Sequence, residues 1–279
     1  MKKTFSQKKS AFSLIELSIV LIIIGLLIAG VTGGASLIKS SELRSIMGEA
    51  RAYATSVNGF YTQFNYLPGD YGVAIGASCV GDADGKIEFG TACRETGEEE
   101  TGGEGSNAWA QMLNAKVIDT NVVSTGTPQT DATAISTFGT YAPASKVKAS
   151  GWAFDYRLSG TASTAFANEA AATAQNVVVL TGQIAAGTAG TTNLLGNTGA
   201  GKSSVAIMAT DALSIDAKID DSNAGTGKVR GVSPTATAID TAASSSATNC
   251  YYYASSAFTY NTTDTVKSCG LSYQVDVNS

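Results

Sequence analysis

From Leu17 to Ile38 no side chain carries a charge, and apolar residues fall on every face of a helical projection. At a rise of about 1.5 Å per residue such a helix is about 33 Å long, enough to cross a hydrocarbon core of about 30 Å. Past this run the pattern changes. Ile46, Ala50, Tyr53, Val57, Phe60 and Phe64 recur at steps of four and three, a single apolar stripe, while Glu42, Arg44, Glu49 and Arg51 lie off it. Pro68 stops the pattern, because the residue before proline is pushed out of the α region. The two patterns predict one helix from Phe12 to about Asn65, about 80 Å long. Its first half is suited to lipid or to a helical bundle, its second to a globular head.

Beyond the helix the periodicity is short and mixed. Asn107 to Ile118 predicts a helix with Trp109, Met112, Leu113 and Val117 on one face. Gly151–Leu158 and Val177–Leu180 predict strands, and "DALSIDAKIDDSNAGTGKVRG" predicts a second short helix, a polar loop and a strand. Tyr251–Tyr253 and Leu271–Val277 predict closing strands. The tracts Thr120–Ser145, Thr181–Ser203 and Ser222–Ser246 hold few large apolar residues and predict surface loops or irregular strands. The expected fold class is α+β: a long N-terminal helix, then a head with a mainly antiparallel sheet and long irregular loops.

Composition narrows the chemistry. The 279 residues contain no His, which removes His-based triads, imidazole metal ligands and a His general base. The formal charge is −5; without Lys2, Lys3, Lys8 and Lys9, which precede the apolar run, 14 basic side chains face 23 acidic ones, a net of −9. An acidic head argues against direct binding to nucleic acid, which needs clustered Lys and Arg to displace counterions. The four cysteines fall as local pairs, Cys79 with Cys93 and Cys250 with Cys269. In an exported chain an even count suggests disulfides, and local pairing is the simplest of three connectivities; four buried free thiols are the alternative.

The lysines before the apolar run and Glu42 after it agree with a cytoplasmic amino terminus. A cleaved secretory signal, cut among the small residues Ala29 to Ala35, or a plain anchor would suit such a run. Neither accounts for Glu16. A carboxylate costs about 2–3 kcal/mol if drawn toward the bilayer centre, so its presence implies a partner.

Ala11, Phe12, Ser13, Leu14, Ile15 and Glu16 resemble the prepilin signature of type IV pilins and type II secretion pseudopilins. In that family a short basic leader ends in Gly, sometimes Ala, followed by Phe, a small hydroxyl residue, Leu, any residue, Glu and a long apolar helix. The resemblance implies that a membrane aspartyl peptidase, the prepilin peptidase, cuts between Ala11 and Phe12 and methylates the new Phe12 amine. It also implies that Glu16 neutralises the Phe12 amine of a neighbouring subunit during assembly. An ammonium and a carboxylate, each costly when buried alone, are tolerable as a pair and can specify register. Ala11 stands where Gly is usual, which bears on cleavage efficiency more than on the cleavage site. Gly25, Gly30, Gly33 and Gly34 would let such helices approach closely. The resemblance divides the chain into a leader at 1–11, a transmembrane and assembly half-helix at 12–38, an exported amphipathic half at 39–66 and a head at 67–279. "NYLPGDYGVA" followed by "GDADGKIEFG" also looks like pilin-like sequences in which the helix exits into an LPGD turn.

Three further stretches carry candidate chemistry. "GDADGKIE" places Asp82, Asp84 and Glu88 around a Gly turn, hard oxygen ligands suited to calcium, although it lacks the DxDxDG register of an EF-hand and a simple Asx/Gly turn explains it as well. "GNTGAGKS", Gly196 to Ser203, matches the phosphate-binding loop pattern, but the flanking tract offers no buried strand before it. Glu95, Glu98, Glu99, Glu100 and Glu104 read as a solvated acidic loop, and Tyr251, Tyr252 and Tyr253 as strand aromatics rather than an adhesive patch. No catalytic constellation emerges and no cofactor is expected, calcium aside. The expected protein is a non-enzymatic filament subunit of a type IV pilus or a type II secretion pseudopilus. It would sit in the bacterial inner membrane with a cytoplasmic leader and a periplasmic head, and become a periplasmic or cell-surface filament on assembly. Its partners would be other pilin subunits, the prepilin peptidase and the inner-membrane assembly platform. The alternative is a signal-anchored or secreted adhesin whose N-terminus resembles a pilin by accident.

Overall fold

A computed structural model describes residues 13–73, 75, 79–90, 92–94, 100–119, 122, 131–157, 175–184, 194–195, 204–233, 249–254, 257–263 and 265–275. The leader, Ala11 and Phe12, the Gly196–Ser203 loop and Glu95, Glu98 and Glu99 lie outside them. The chain divides into two compact units, Met1–Glu42 and Leu43–Ser279.

Helix α1 runs unbroken from Leu14 to Phe64 and so begins in the first unit and ends in the second. In the first unit its large apolar side chains, Leu14 through Ile38, are exposed, and no described residue covers them. The hydroxyls among them bond back to the helix itself: Ser18 donates to the Ile15 carbonyl at 2.9 Å and Thr32 to the Ile28 carbonyl at 3.0 Å. A helix that satisfies its polar groups internally while exposing only apolar surface is fit for lipid or for a bundle of like helices.

In the second unit Leu43, Ile46, Ala50, Tyr53, Val57 and Phe60 are buried, the stripe expected from spacing, extended one turn earlier to Leu43. This face packs on a five-stranded antiparallel sheet. The strands are β3 (Ser150–Arg157), β4 (Gln175–Gly182), β5 (Ile207–Met208), β6 (Val229–Val232) and β9 (Lys267–Gln274). Strand β9 is the hub, since β4, β5 and β6 all pair with it and β3 pairs with β4. Two small antiparallel pairs stand apart: β1 (Ala92–Arg94) with β2 (Glu100–Gly103), and β7 (Tyr251–Ala254) with β8 (Ala257–Tyr260). Helices α2 (Glu104–Asn114), α3 (Asp131–Ser136) and α4 (Ala209–Ile219) complete the head. The Tyr53 ring meets Trp109 edge-on at 4.9 Å and Trp152 at 5.7 Å, and Trp109 lies 4.3 Å from Phe154, joining α1, α2 and β3 in one core.

A disulfide joins Cys250, just before β7, to Cys269 on β9, as the local pairing expected. Cys79 is also disulfide-bonded; Cys93 lies on β1, and its side chain is outside the described residues.

Glu49, off the apolar stripe as expected, is half-buried. Its carboxylate accepts the Trp152 indole N–H and the Ser145 hydroxyl, both at 2.8 Å, and the Lys146 N–H at 3.2 Å. It thus fastens α1 to β3 and the turn before it. Glu49→Ala leaves the buried indole N–H of Trp152 unpartnered and is expected to destabilise the chain by about 2–3 kcal/mol, read as a lower denaturant midpoint by tryptophan fluorescence; Glu49→Gln is expected to recover part of the loss.

Candidate functional site

Glu16 sits in the first turn of α1, and its local geometry has a cause in the sequence. Ser13 precedes the helix and Glu16 follows three residues later, the S-x-x-E pattern of a capping box. Glu16 Oε2 accepts the Ser13 backbone N–H at 2.8 Å, while Ser13 Oγ accepts the Ile15 N–H at 3.4 Å. The carboxylate also lies at the positive end of the helix dipole, where negative charge is stabilised. The signal for this cap is present in the sequence as Ser13 with Glu16 three residues on. It gives Glu16 a function within one chain beside any between chains.

The window of α1 with the highest hydropathy averages 2.8 and is wholly exposed, so the helix is long and apolar enough to cross a membrane. Beyond a Cβ built at Gly25, Gly30, Gly33 or Gly34 there is nothing within 4 Å, and the helix does not break at any of them.

Residues 6–32 match the family model of the prokaryotic N-terminal methylation motif. This motif is the type IV pilin and pseudopilin signature. The match takes in Ala11, Phe12 and Glu16 and ends within the apolar run. Neither a curated protein nor a solved structure matches the chain. The pilin signature therefore rests on the amino terminus, and the head has to be read from its own geometry.

The head gathers carboxylates where α1 exits into the sheet. Asp70, in the expected LPGD turn, is buried, and its two oxygens accept the backbone N–H groups of Asp84 and Gly85, both at 2.9 Å. Gly69 is required beside it: its φ is +89°, and a Cβ there would stand 2.6 Å from the Glu104 carbonyl oxygen. The Asp82–Phe89 loop is pinned from three sides more. Asn176 on β4 accepts the Ile87 N–H at 2.7 Å, Asp155 on β3 accepts the Phe89 N–H at 3.2 Å, and Glu104 at the start of α2 accepts the Glu88 N–H at 3.2 Å.

Of the residues expected to hold calcium, Asp82 alone stands in the group the fold assembles. Oxygens of Asp70, Asp82 and Glu104 lie within 4.8 Å of one another. Asp84 turns to Lys86 in an ion pair, and the Glu88 backbone serves the loop. Glu104 is likewise not the solvated acidic residue its surroundings suggested: it is 1% exposed at the first turn of α2. Burial, reinforced by the neighbouring Asp82 and Asp70, pushes its carboxyl up to about 8; burial also raises Asp70 to about 6. A second acidic group, Asp216, Asp220 and Asp221, secures the turn after α4. Asp216 accepts the Tyr260 hydroxyl at 2.9 Å and Asp220 the Val229 N–H at 3.2 Å. Of the three tyrosines, Tyr251 is buried against Phe258 and Tyr252 is half-buried.

Two buried carboxyls away from the Asp70 cluster set a pH dependence. Asp155 accepts four backbone N–H groups, from Phe89, Tyr156, Leu194 and Leu195, yet complete burial still pushes it up to about 7. Asp216 rises to about 7 through burial, partly offset by the Tyr260 hydroxyl. Each holds its proton more tightly folded than at its ordinary value of 3.8. Their contribution to stability is therefore full below pH about 4 and lost as the pH climbs to about 7. In metal-free buffer the melting temperature is expected to fall across that window, and Asp155→Asn, though less stable throughout, to show a shallower fall. A melting temperature that rises steadily from pH 4 to 7 would contradict this assignment.

Proposed function

We propose that the chain is a structural subunit of a type IV pilus or type II secretion pseudopilus. The prepilin peptidase cuts it between Ala11 and Phe12, methylates Phe12 and leaves it anchored in the bacterial inner membrane, head on the periplasmic side. The inner-membrane assembly platform then adds it to a filament of pilin subunits through α1. The head does no chemistry, and the energy for assembly comes from elsewhere. The observation that carries this reading is the methylation motif placed at the start of a helix whose apolar surface is bare and whose first turn holds a carboxylate.

In the assembled state Glu16 meets the methylated amine of Phe12 from a neighbouring chain. Burying either charge alone costs several kcal/mol, so a filament forms only in registers that bring the two together. Subunits out of register leave an uncompensated charge in an apolar core.

The test is mass spectrometry of the amino-terminal peptide, from membranes of cells that contain a prepilin peptidase. An N-methylated Phe12 terminus is expected. A terminus between Ala29 and Ala35, or a retained Met1 leader, would return the head to an exported binding module.

A further inference from the structure

We propose that Asp70, Asp82 and Glu104 form a calcium site that locks the exit of α1, the Asp82–Phe89 loop and the start of α2 into one unit. The site differs from the ligand set suggested by sequence, sharing only Asp82 with it, and it does not depend on the filament reading.

Three observations carry the proposal. The first is the span. A calcium ion takes oxygen ligands at about 2.3–2.6 Å, so two oxygens on one ion stand up to about 5 Å apart, and the three carboxylates fall within 4.8 Å of one another. The second is an unpartnered oxygen. Glu104 Oε2 is used by the Glu88 N–H, but Oε1 is buried with no hydrogen-bond partner, on a residue 1% exposed. A buried, unsatisfied carboxylate oxygen is destabilising unless something positive meets it. The third is charge. Among the described residues no Lys or Arg pairs with Asp70, Asp82 or Glu104, because Lys86, the neighbouring cation, is held by Asp84.

The backbone around the cluster is built for close approach. A Cβ at Gly81 would stand 2.3 Å from the Asp70 backbone, so the Asp82 turn can lie directly against the LPGD turn only because residue 81 is glycine. Ala83 and Gly85 take φ of +64° and +87°, in a loop where Asp82 comes beside Asp70 and Glu104 while Asp84 pairs with Lys86. Asp82 is the exposed member of the three, which leaves a route for the ion. An all-carboxylate donor set selects a hard cation, and calcium, which accepts irregular coordination where magnesium demands a near-ideal octahedron and keeps several waters, suits three carboxylates held by the fold.

The experiment uses the full chain in detergent, stripped of metal, with calcium chloride titrated by calorimetry and melting followed in calcium, magnesium or chelator. Binding is expected with a Kd of about 10⁻⁴–10⁻³ M, the range of extracellular modules, with a rise of several degrees in melting temperature at saturation. Asp82→Asn, which keeps the turn's hydrogen bond to the Asp84 N–H, is expected to weaken binding by at least about tenfold. Glu104→Gln, which keeps an oxygen for the Glu88 N–H but no longer offers a carboxylate, is expected to abolish the calcium response. Equal melting in calcium and chelator would overturn the proposal. So would a calcium response undiminished in both variants, or a magnesium response as large as that of calcium.

Discussion

A carboxylate at the head of a helix with no other charge for its next 22 residues, Leu17 to Ile38, constrains everything else about the amino terminus. In a single chain the capping box with Ser13 holds it, and the exposed carboxylate stays open to water. Once the helix is packed among others that water is lost, and the helix can enter an apolar bundle only if the carboxylate finds a positive partner. In the filament we propose, the Phe12 amine of another chain, four residues upstream, would supply one at a fixed axial offset. On that proposal cleavage and assembly would be coupled, because the Phe12 amine would exist only after the leader is removed.

The head is stabilised by a related use of carboxylates. Among the described residues, several connections are fixed by backbone N–H groups donating to buried acids. Asp70 holds the Asp84–Gly85 turn, Asp155 holds the chain at Phe89 and at Leu194–Leu195, and Asp216 receives Ser222. Glu49 does the same between α1 and β3. Glu104 differs from these, since one of its oxygens is left over.

The elements with a strong period were legible in the sequence. The amphipathic stripe of α1, strands β3, β4 and β6 and helix α4 follow from spacing, and the pairing of Cys250 with Cys269 is the simplest of the connectivities the four cysteines allow. The boundaries moved where polar contacts decide them. Helix α2 begins at Glu104 rather than Asn107, because a Glu in the first turn is held by the dipole and by the Glu88 N–H. Strand β9 begins at Lys267, four residues early, because pairing with β5 recruits Lys267 and Cys269. Helix α3 and the short strands β1, β2, β5 and β8 were missed, being too short to show a period. The carboxylate fasteners were not legible either, since each joins residues 14 to 103 positions apart: Glu49 with Trp152, Asp70 with Asp84, Asp155 with Leu194.

The central claim is that the charge of Glu16, and not its capping hydrogen bond, is what assembly requires. Glu16→Gln separates the two, because an amide oxygen still accepts the Ser13 N–H while the charge is gone. The measurement is filament yield by electron microscopy, in cells where amino-terminal sequencing shows the variant processed at Phe12. The account predicts that Glu16→Gln is processed normally yet builds few or no filaments, as Glu16→Ala does. Abundant, regular filaments of Glu16→Gln would contradict it and leave Glu16 as a helix cap alone.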